Sequence, residues 1–198
     1  MTTTDMLDRL ARDVAAVVPD VDAEVSHGRY GDGIGGFAEP KQIEFVADRL
    51  DERDTPYHAI ETEVPYPNDT QRCDIVLETD TGRLPIEAKL LRFNRANGDI
   101  EPTTYDSIFN PLDGSLVADA TKLATSEFDT PGGLLGLYYE RGDEEAPVFD
   151  PHRLAEKLAD DAAFWFDLTV EPAAVVEFTG LRHDIHRQGA VVVWDIAD

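Results

Sequence analysis

Apolar positions change their spacing several times along the chain, and each change marks an element. Met6, Leu7, Leu10, Val14, Val17 and Val18 recur at helical spacing and predict a helix over 4–18, ended by Pro19-Asp20. Gly28, Gly31, Gly33, Gly35 and Gly36 predict a loop over 26–38, and their spacing fits neither a phosphate loop nor a dinucleotide turn. Ile43, Val46, Ala47 and Leu50 share one face of a second helix, 40–53, with Pro40 suited to its first turn. Strands follow at 57–64, 72–79 and 84–92, the last two joined by a turn at Asp80-Thr81-Gly82. Residues 93–113 form a long polar connection, a length that in compact domains is functional or mobile. Leu116, Val117, Ala120, Leu123 and Ala124 align on a helix at 114–128, and Pro131-Gly132-Gly133 interrupts the chain. A strand at 134–139 comes next, then a helix at 151–167 with Leu154, Leu158, Ala162 and Trp165 on one face. Strands near 173–180 and 190–196 complete the chain. The order from residue 40 is α-β-β-β-α-β, then α-β-β. It predicts an α/β fold with a mixed sheet flanked by helices, in one domain over 1–198.

The central hairpin carries the candidate chemistry. Side chains alternate along a strand, so Cys73, Ile75 and Leu77 share one face and Arg72, Asp74, Val76 and Glu78 the other. On the returning strand Ile86, Ala88 and Leu90 match the apolar face, and Glu87 and Lys89 the polar one. A two-residue turn at Asp80-Thr81 pairs Thr79 with Gly82 and sets Asp74 opposite Glu87. Side chains so paired have Cβ atoms about 4.5–5.5 Å apart. Two facing carboxylates repel unless a cation lies between them. They suit Mg²⁺ (or Mn²⁺), which takes one or two carboxylates and keeps sites for water and phosphate oxygen. Such a metal activates water and neutralises phosphate charge, and a nearby lysine can orient or deprotonate that water or stabilise the transition state.

Asp74, twelve residues, then Glu87-Ala88-Lys89 resembles the motif of the PD-(D/E)xK nuclease superfamily, whose fold is restriction-endonuclease-like. The family core, αβββαβ, matches the order read over about 40–140, with the helix 4–18 before it and an α-β-β extension over about 150–198 after it. The resemblance implies that Asp74 and Glu87 bind the metal and that Lys89 acts on the attacking water. It also implies a glutamate on the first core helix completing the site, for which Glu44 is the first candidate and Glu39 the second. Cys73 stands where the family has proline.

Composition changes the expected partner. The chain has 41 acidic and 17 basic residues and a net charge of −24. Its 25 Asp, 16 Glu and 13 Arg against 4 Lys resemble the surfaces of salt-in halophiles. At low salt this charge repels nucleic acid. In molar salt the Debye length falls to about 3 Å, and local contacts decide. One cysteine, Cys73, excludes an intramolecular disulfide and a multi-cysteine zinc site. The first twenty residues read neither as a signal peptide nor as a membrane span, so a cytoplasmic protein without membrane attachment is expected.

Several cations are candidate nucleic-acid contacts. Arg72 shares the face of Asp74 and either grips phosphate or neutralises the carboxylates. Arg92 and Arg95 follow the motif strand and suit a backbone phosphate or a loop salt bridge. Lys122 either borders the site or pairs with Asp119 one turn earlier. Arg182 and Arg187 lie in the basic stretch 180–189, a nucleic-acid loop or a solvated hairpin loop; His183 and His186 there lack further zinc ligands. The function expected is a Mg²⁺-dependent nuclease acting on DNA foremost, with RNA as the weaker substrate and a homodimer by analogy. The alternative is a catalytically silent module of the same fold that binds nucleic acid or a protein partner.

Overall fold

Apolar runs at 84–91, 134–139 and 190–194 need cover on both faces, and in the first only Glu87 and Lys89 are charged. In the computed structural model these runs are inner strands of one sheet. The structure describes residues 1–67, 70–112, 114–128, 130–142 and 149–197; residue 113, at the end of the predicted polar connection, lies outside them. The elements are α1 (Thr3–Glu24), β1 (Ser26–His27), β2 (Gly31–Asp32), α2 (Glu39–Asp51), β3 (Ala59–Pro65), β4 (Arg72–Thr79) and β5 (Gly82–Arg92). Then come α3 (Thr104–Phe109), α4 (Leu116–Ala124), β6 (Gly133–Glu140), α5 (Pro151–Phe166), β7 (Val170–Thr179) and β8 (Gln188–Ile196). The mixed six-stranded sheet has the order β3-β4-β5-β6-β8-β7. β5 and β6 are parallel, the other pairs antiparallel. A parallel pair needs a crossover, and α3 and α4 supply it.

Helices cover both faces. α1 and α2 pack with Ile75, Leu77, Ile86, Ala88, Leu90, Val191 and Val193. α3, α4 and α5 pack with Val76, Leu91, Leu134, Tyr138, Val192 and Trp194. At Gly189 a Cβ would overlap the Tyr138 carbonyl oxygen, so only glycine lets β8 approach β6 there. No helix among the described residues is long and apolar enough to cross a membrane.

Four sequence expectations change. α1 does not stop at Pro19, which lies inside the helix. An interior proline costs about 3 kcal/mol. Val17, Val18 and Val21 stay buried on either side of it, and each buried side chain of this kind is worth about 1.5–3 kcal/mol. The glycine loop contains the short β1–β2 pair and a 3₁₀ turn at Ile34–Gly36. The polar connection contains α3, which buries Thr104, Ile108 and Phe109. Trp165 does not share the buried face of α5: it is 53 % exposed, at the end of the helix.

Asp22, 1 % exposed, ties the end of α1 to two loops. Its Oδ1 accepts from Ile34 N–H at 2.9 Å and its Oδ2 from Arg182 N–H at 2.6 Å. His186 spans the Gly35 carbonyl at 3.0 Å and the Asn94 carbonyl at 2.9 Å. These bonds brace the glycine-rich segment that leads into α2.

Candidate functional site

The β4–β5 turn sets the register expected from Asp80-Thr81, with pairs running from Thr79–Gly82 to Ile75–Ile86. The ladder ends there. One step on, Asp74 directs its carboxylate at the neighbouring backbone, and its Oδ2 accepts from Ala88 N–H at 2.7 Å. On the other side of β4, the β3 ladder pairs Thr62 with Ile75 and Val64 with Cys73 but passes over Asp74. Glu63, beside that gap, has φ of 53°, a backbone angle uncommon for a residue with a side chain. β4 is thus deformed at Asp74, which breaks the simple alternation. Cys73 consequently packs with Val76 on the α4 side, not with Ile75 and Leu77 as expected.

Glu87 is 3 % exposed in the middle of the sheet. A charge there requires partners. Its Oε1 accepts from the Tyr66 hydroxyl and lies 2.6 Å from the Lys122 ammonium. Burial, with Asp74 close by, pushes the Glu87 carboxyl up to about 8, although Lys122 and Tyr66 pull it down. Burial and the same carboxylate push the Tyr66 hydroxyl far up, so it stays a donor. Lys89 Nζ lies 3.6 Å from Glu39 Oε1 and 3.8 Å from Asp119 Oδ2. Burial alone would lower Lys89, but Glu39, Asp119, Asp74 and Glu87 outweigh it and keep the ammonium charged.

Glu39 opens α2, and its Oε2 accepts from Leu90 N–H at 2.7 Å. Burial raises its carboxyl. The start of α2 is fixed because the Phe37 carbonyl accepts from Gln42 Nε2 at 2.9 Å and from Arg92 at 3.1 Å. Asp119 and Lys122, one turn apart on α4, lie 3.3 Å from each other. The cluster therefore holds four carboxylates (Glu39, Asp74, Glu87, Asp119), two ammonium groups (Lys89, Lys122) and the Tyr66 hydroxyl. Fully ionised it carries two net negative charges. Oxygen donors with that surplus suit a hard divalent cation. Among the described residues, no three His, Cys, Asp or Glu side chains already converge as a metal cage, and in this cluster the lysines lie between the carboxylates.

Glu44 does not join the cluster. Its side chain is half exposed and pairs with Lys41 at 2.7 Å. Lys41, Glu44 and Asp48 form an exposed stripe opposite the buried face of α2, so Glu39 takes the place expected for Glu44. The candidate contact arginines have internal partners. Arg92 donates to the Gly35 and Phe37 carbonyls at 3.0 and 3.1 Å, and burial lowers it, so it braces the loop where a phosphate contact or a loop salt bridge was expected. Arg182 donates to the Asp22 carbonyl at 3.3 Å and pairs with Asp32 at 3.0 Å. Arg95 pairs with Glu101 at 2.9 Å. Arg187 donates to the Asp184 carbonyl at 3.0 Å, and Arg72 to the Glu63 carbonyl. Tyr66 had no signal in the sequence. The Asp119–Lys122 spacing was visible, but not its direction.

No protein-family model, curated protein or solved structure matches the chain.

Glu87 makes a pH prediction for the metal-free protein. Its folded pKa is raised to about 8, so the folded state holds this proton more tightly than the unfolded chain. That contribution is full below the unfolded value and is lost as pH rises through about 8. Glu87→Gln carries no such proton. Relative to Glu87→Gln, wild type in EDTA should lose several degrees of midpoint between pH 5 and 8.5. Thermal unfolding of both proteins at these pH values measures it, and a constant difference contradicts the assignment.

Proposed function

We propose that the chain is a metal-dependent nuclease of the PD-(D/E)xK type, with a restriction-endonuclease-like core, that hydrolyses phosphodiester bonds, foremost in DNA. The observation that carries this reading is the buried Glu87 with Asp74 beside it where β4 leaves its ladder, and Lys89 held next to them by Glu39 and Asp119. The helix, three strands, helices and strand from Glu39 to Glu140 are consistent with it.

In this reading Asp74 and Glu87 hold Mg²⁺ or Mn²⁺, with Glu39 at the margin. When bound, the metal supplies an activated water and offsets charge on the phosphate. Lys89, kept charged by its carboxylate neighbours, donates hydrogen bonds to the attacking water or to phosphate oxygen. Glu39 and Asp119 fix its ammonium from α2 and α4. Tyr66 and Lys122 both hold Oε1 of Glu87, the oxygen turned toward α4.

One observation favours the second reading, a catalytically silent module that binds nucleic acid or protein. Arg92 and Arg182, which could grip phosphate, are committed to carbonyls of the fold. Asp74→Asn separates the readings. With Mg²⁺ in molar KCl, wild type should nick or cut DNA, and Asp74→Asn should bind it but not cut it. Equal cutting by both proteins overturns the assignment of the site. Binding by both without cutting favours the silent module.

A further inference from the structure

Lys122 is the least explained member of the cluster. A lysine on the outer face of a helix that pairs only with Asp119, three residues before it, would be an ordinary surface pair worth little. Lys122 instead reaches inward. Its Nζ lies 2.6 Å from the buried oxygen of Glu87, closer than the 3.3 Å to Asp119. It also lies 5.1 Å above the Tyr66 ring, so an aromatic face and two carboxylates hold it in place. The side chain is 24 % exposed, which leaves a route outward. α4 starts at a well-made cap: Ser115 accepts from Ala118 N–H at 3.1 Å and donates to the Asn110 carbonyl. Its start is thereby fixed, and the buried Leu116, Val117, Ala120 and Leu123 seat the helix on the sheet.

We infer that Lys122 is a built-in occupant of the cation position, an ammonium that sits on Oε1 of Glu87 in the metal-free protein and must leave that oxygen before a divalent cation binds. The inference rests on the nuclease reading above and adds a regulatory property to its site. It follows from charge. An ammonium on the oxygen of a buried carboxylate both satisfies that oxygen and repels a dication approaching it. Metal binding is then an exchange rather than an addition. Its apparent strength is the difference between the metal's attraction to Asp74 and Glu87 and the lysine's attraction to Glu87. Once displaced, Lys122 keeps Asp119, 3.3 Å away, as its partner. High metal concentration, not protein abundance, then sets when the site is loaded.

The test is calorimetric titration of the full chain with Mn²⁺ alone, in molar KCl at pH 8.5, with Glu87→Gln as the background for surface carboxylates. Lys122→Met keeps the length of the side chain and removes its charge. It should bind Mn²⁺ at least about tenfold more tightly than wild type, because removing a charge at contact distance is worth more than the 1.4 kcal/mol of one decade. Lys122→Arg keeps the charge and should bind no more tightly than wild type. If Lys122→Met does not fold, Lys122→Gln is read in its place. Equal or weaker binding by the neutral variants overturns the inference and leaves the metal reading intact. Absence of binding above the Glu87→Gln background in every protein overturns both.

Discussion

Lys89→Ala should lower metal-dependent DNA cleavage by about a hundredfold or more, the loss usual for a group acting on a proton or a developing charge at the reacting centre. The expectation follows from the surroundings of the ammonium. Glu39 at 3.6 Å and Asp119 at 3.8 Å hold it from two helices without a close hydrogen bond, so its donors are available to a water or phosphate. The substitution removes a charge from a cluster with a negative surplus, so Mn²⁺ binding should persist or strengthen while turnover falls. Single-turnover cleavage and Mn²⁺ titration of the same preparation separate the two effects. Unchanged turnover removes Lys89 from the reaction.

Trp194→Ala carries the largest expected loss of stability. Trp194 lies on β8 with no exposure, and its indole N–H donates to the Ala155 carbonyl of α5 at 3.0 Å. Truncation empties the layer between sheet and helix and removes the indole's bond to α5. Such changes cost about 3–5 kcal/mol. In a chain of this size that lowers the thermal midpoint by roughly 10 °C. Trp165→Ala, at a position 53 % exposed, should move it little. Thermal unfolding of both variants in molar KCl checks the contrast, and similar shifts for the two contradict the core assignment.

The two tryptophans also show where pattern reading ended. Helical spacing placed Trp165 with Leu154, Leu158 and Ala162, but it falls at the end of α5, where the side chain remains exposed. Pro19 failed as a stop signal because burial of the valines on both sides outweighs one missing hydrogen bond. α3 was hidden because six residues in a polar connection give too short a period to read.

The hairpin was legible for a physical reason. A two-residue turn fixes register by arithmetic, and Glu87 and Lys89 interrupt an otherwise apolar central strand. What could not be read was the deformation at Asp74, which depends on Glu63 and on a side chain bonding to the Ala88 backbone. Glu44 was correctable from the sequence, since it shares a polar stripe with Lys41 and Asp48. Glu39 was harder, because its position depends on how Arg92, Gln42 and His186 hold the segment ahead of α2. Arg92, directly after the motif strand, read as a phosphate contact or a loop salt bridge, yet its acceptors are carbonyls more than fifty residues away. Tyr66 reaches Glu87 from a segment without periodicity, and only the folded chain reveals it.

The activity proposed for the cluster around Asp74, Glu87 and Lys89 is hydrolysis of phosphodiester bonds with a divalent metal. Its most direct test is wild-type protein with supercoiled plasmid in molar KCl, first with Mg²⁺, then with excess EDTA, then with Mg²⁺ restored. Plasmid should convert to nicked or linear DNA, stop converting with EDTA and resume with the metal. Cleavage that continues in EDTA, or intact plasmid under Mg²⁺ and Mn²⁺ alike, would contradict it.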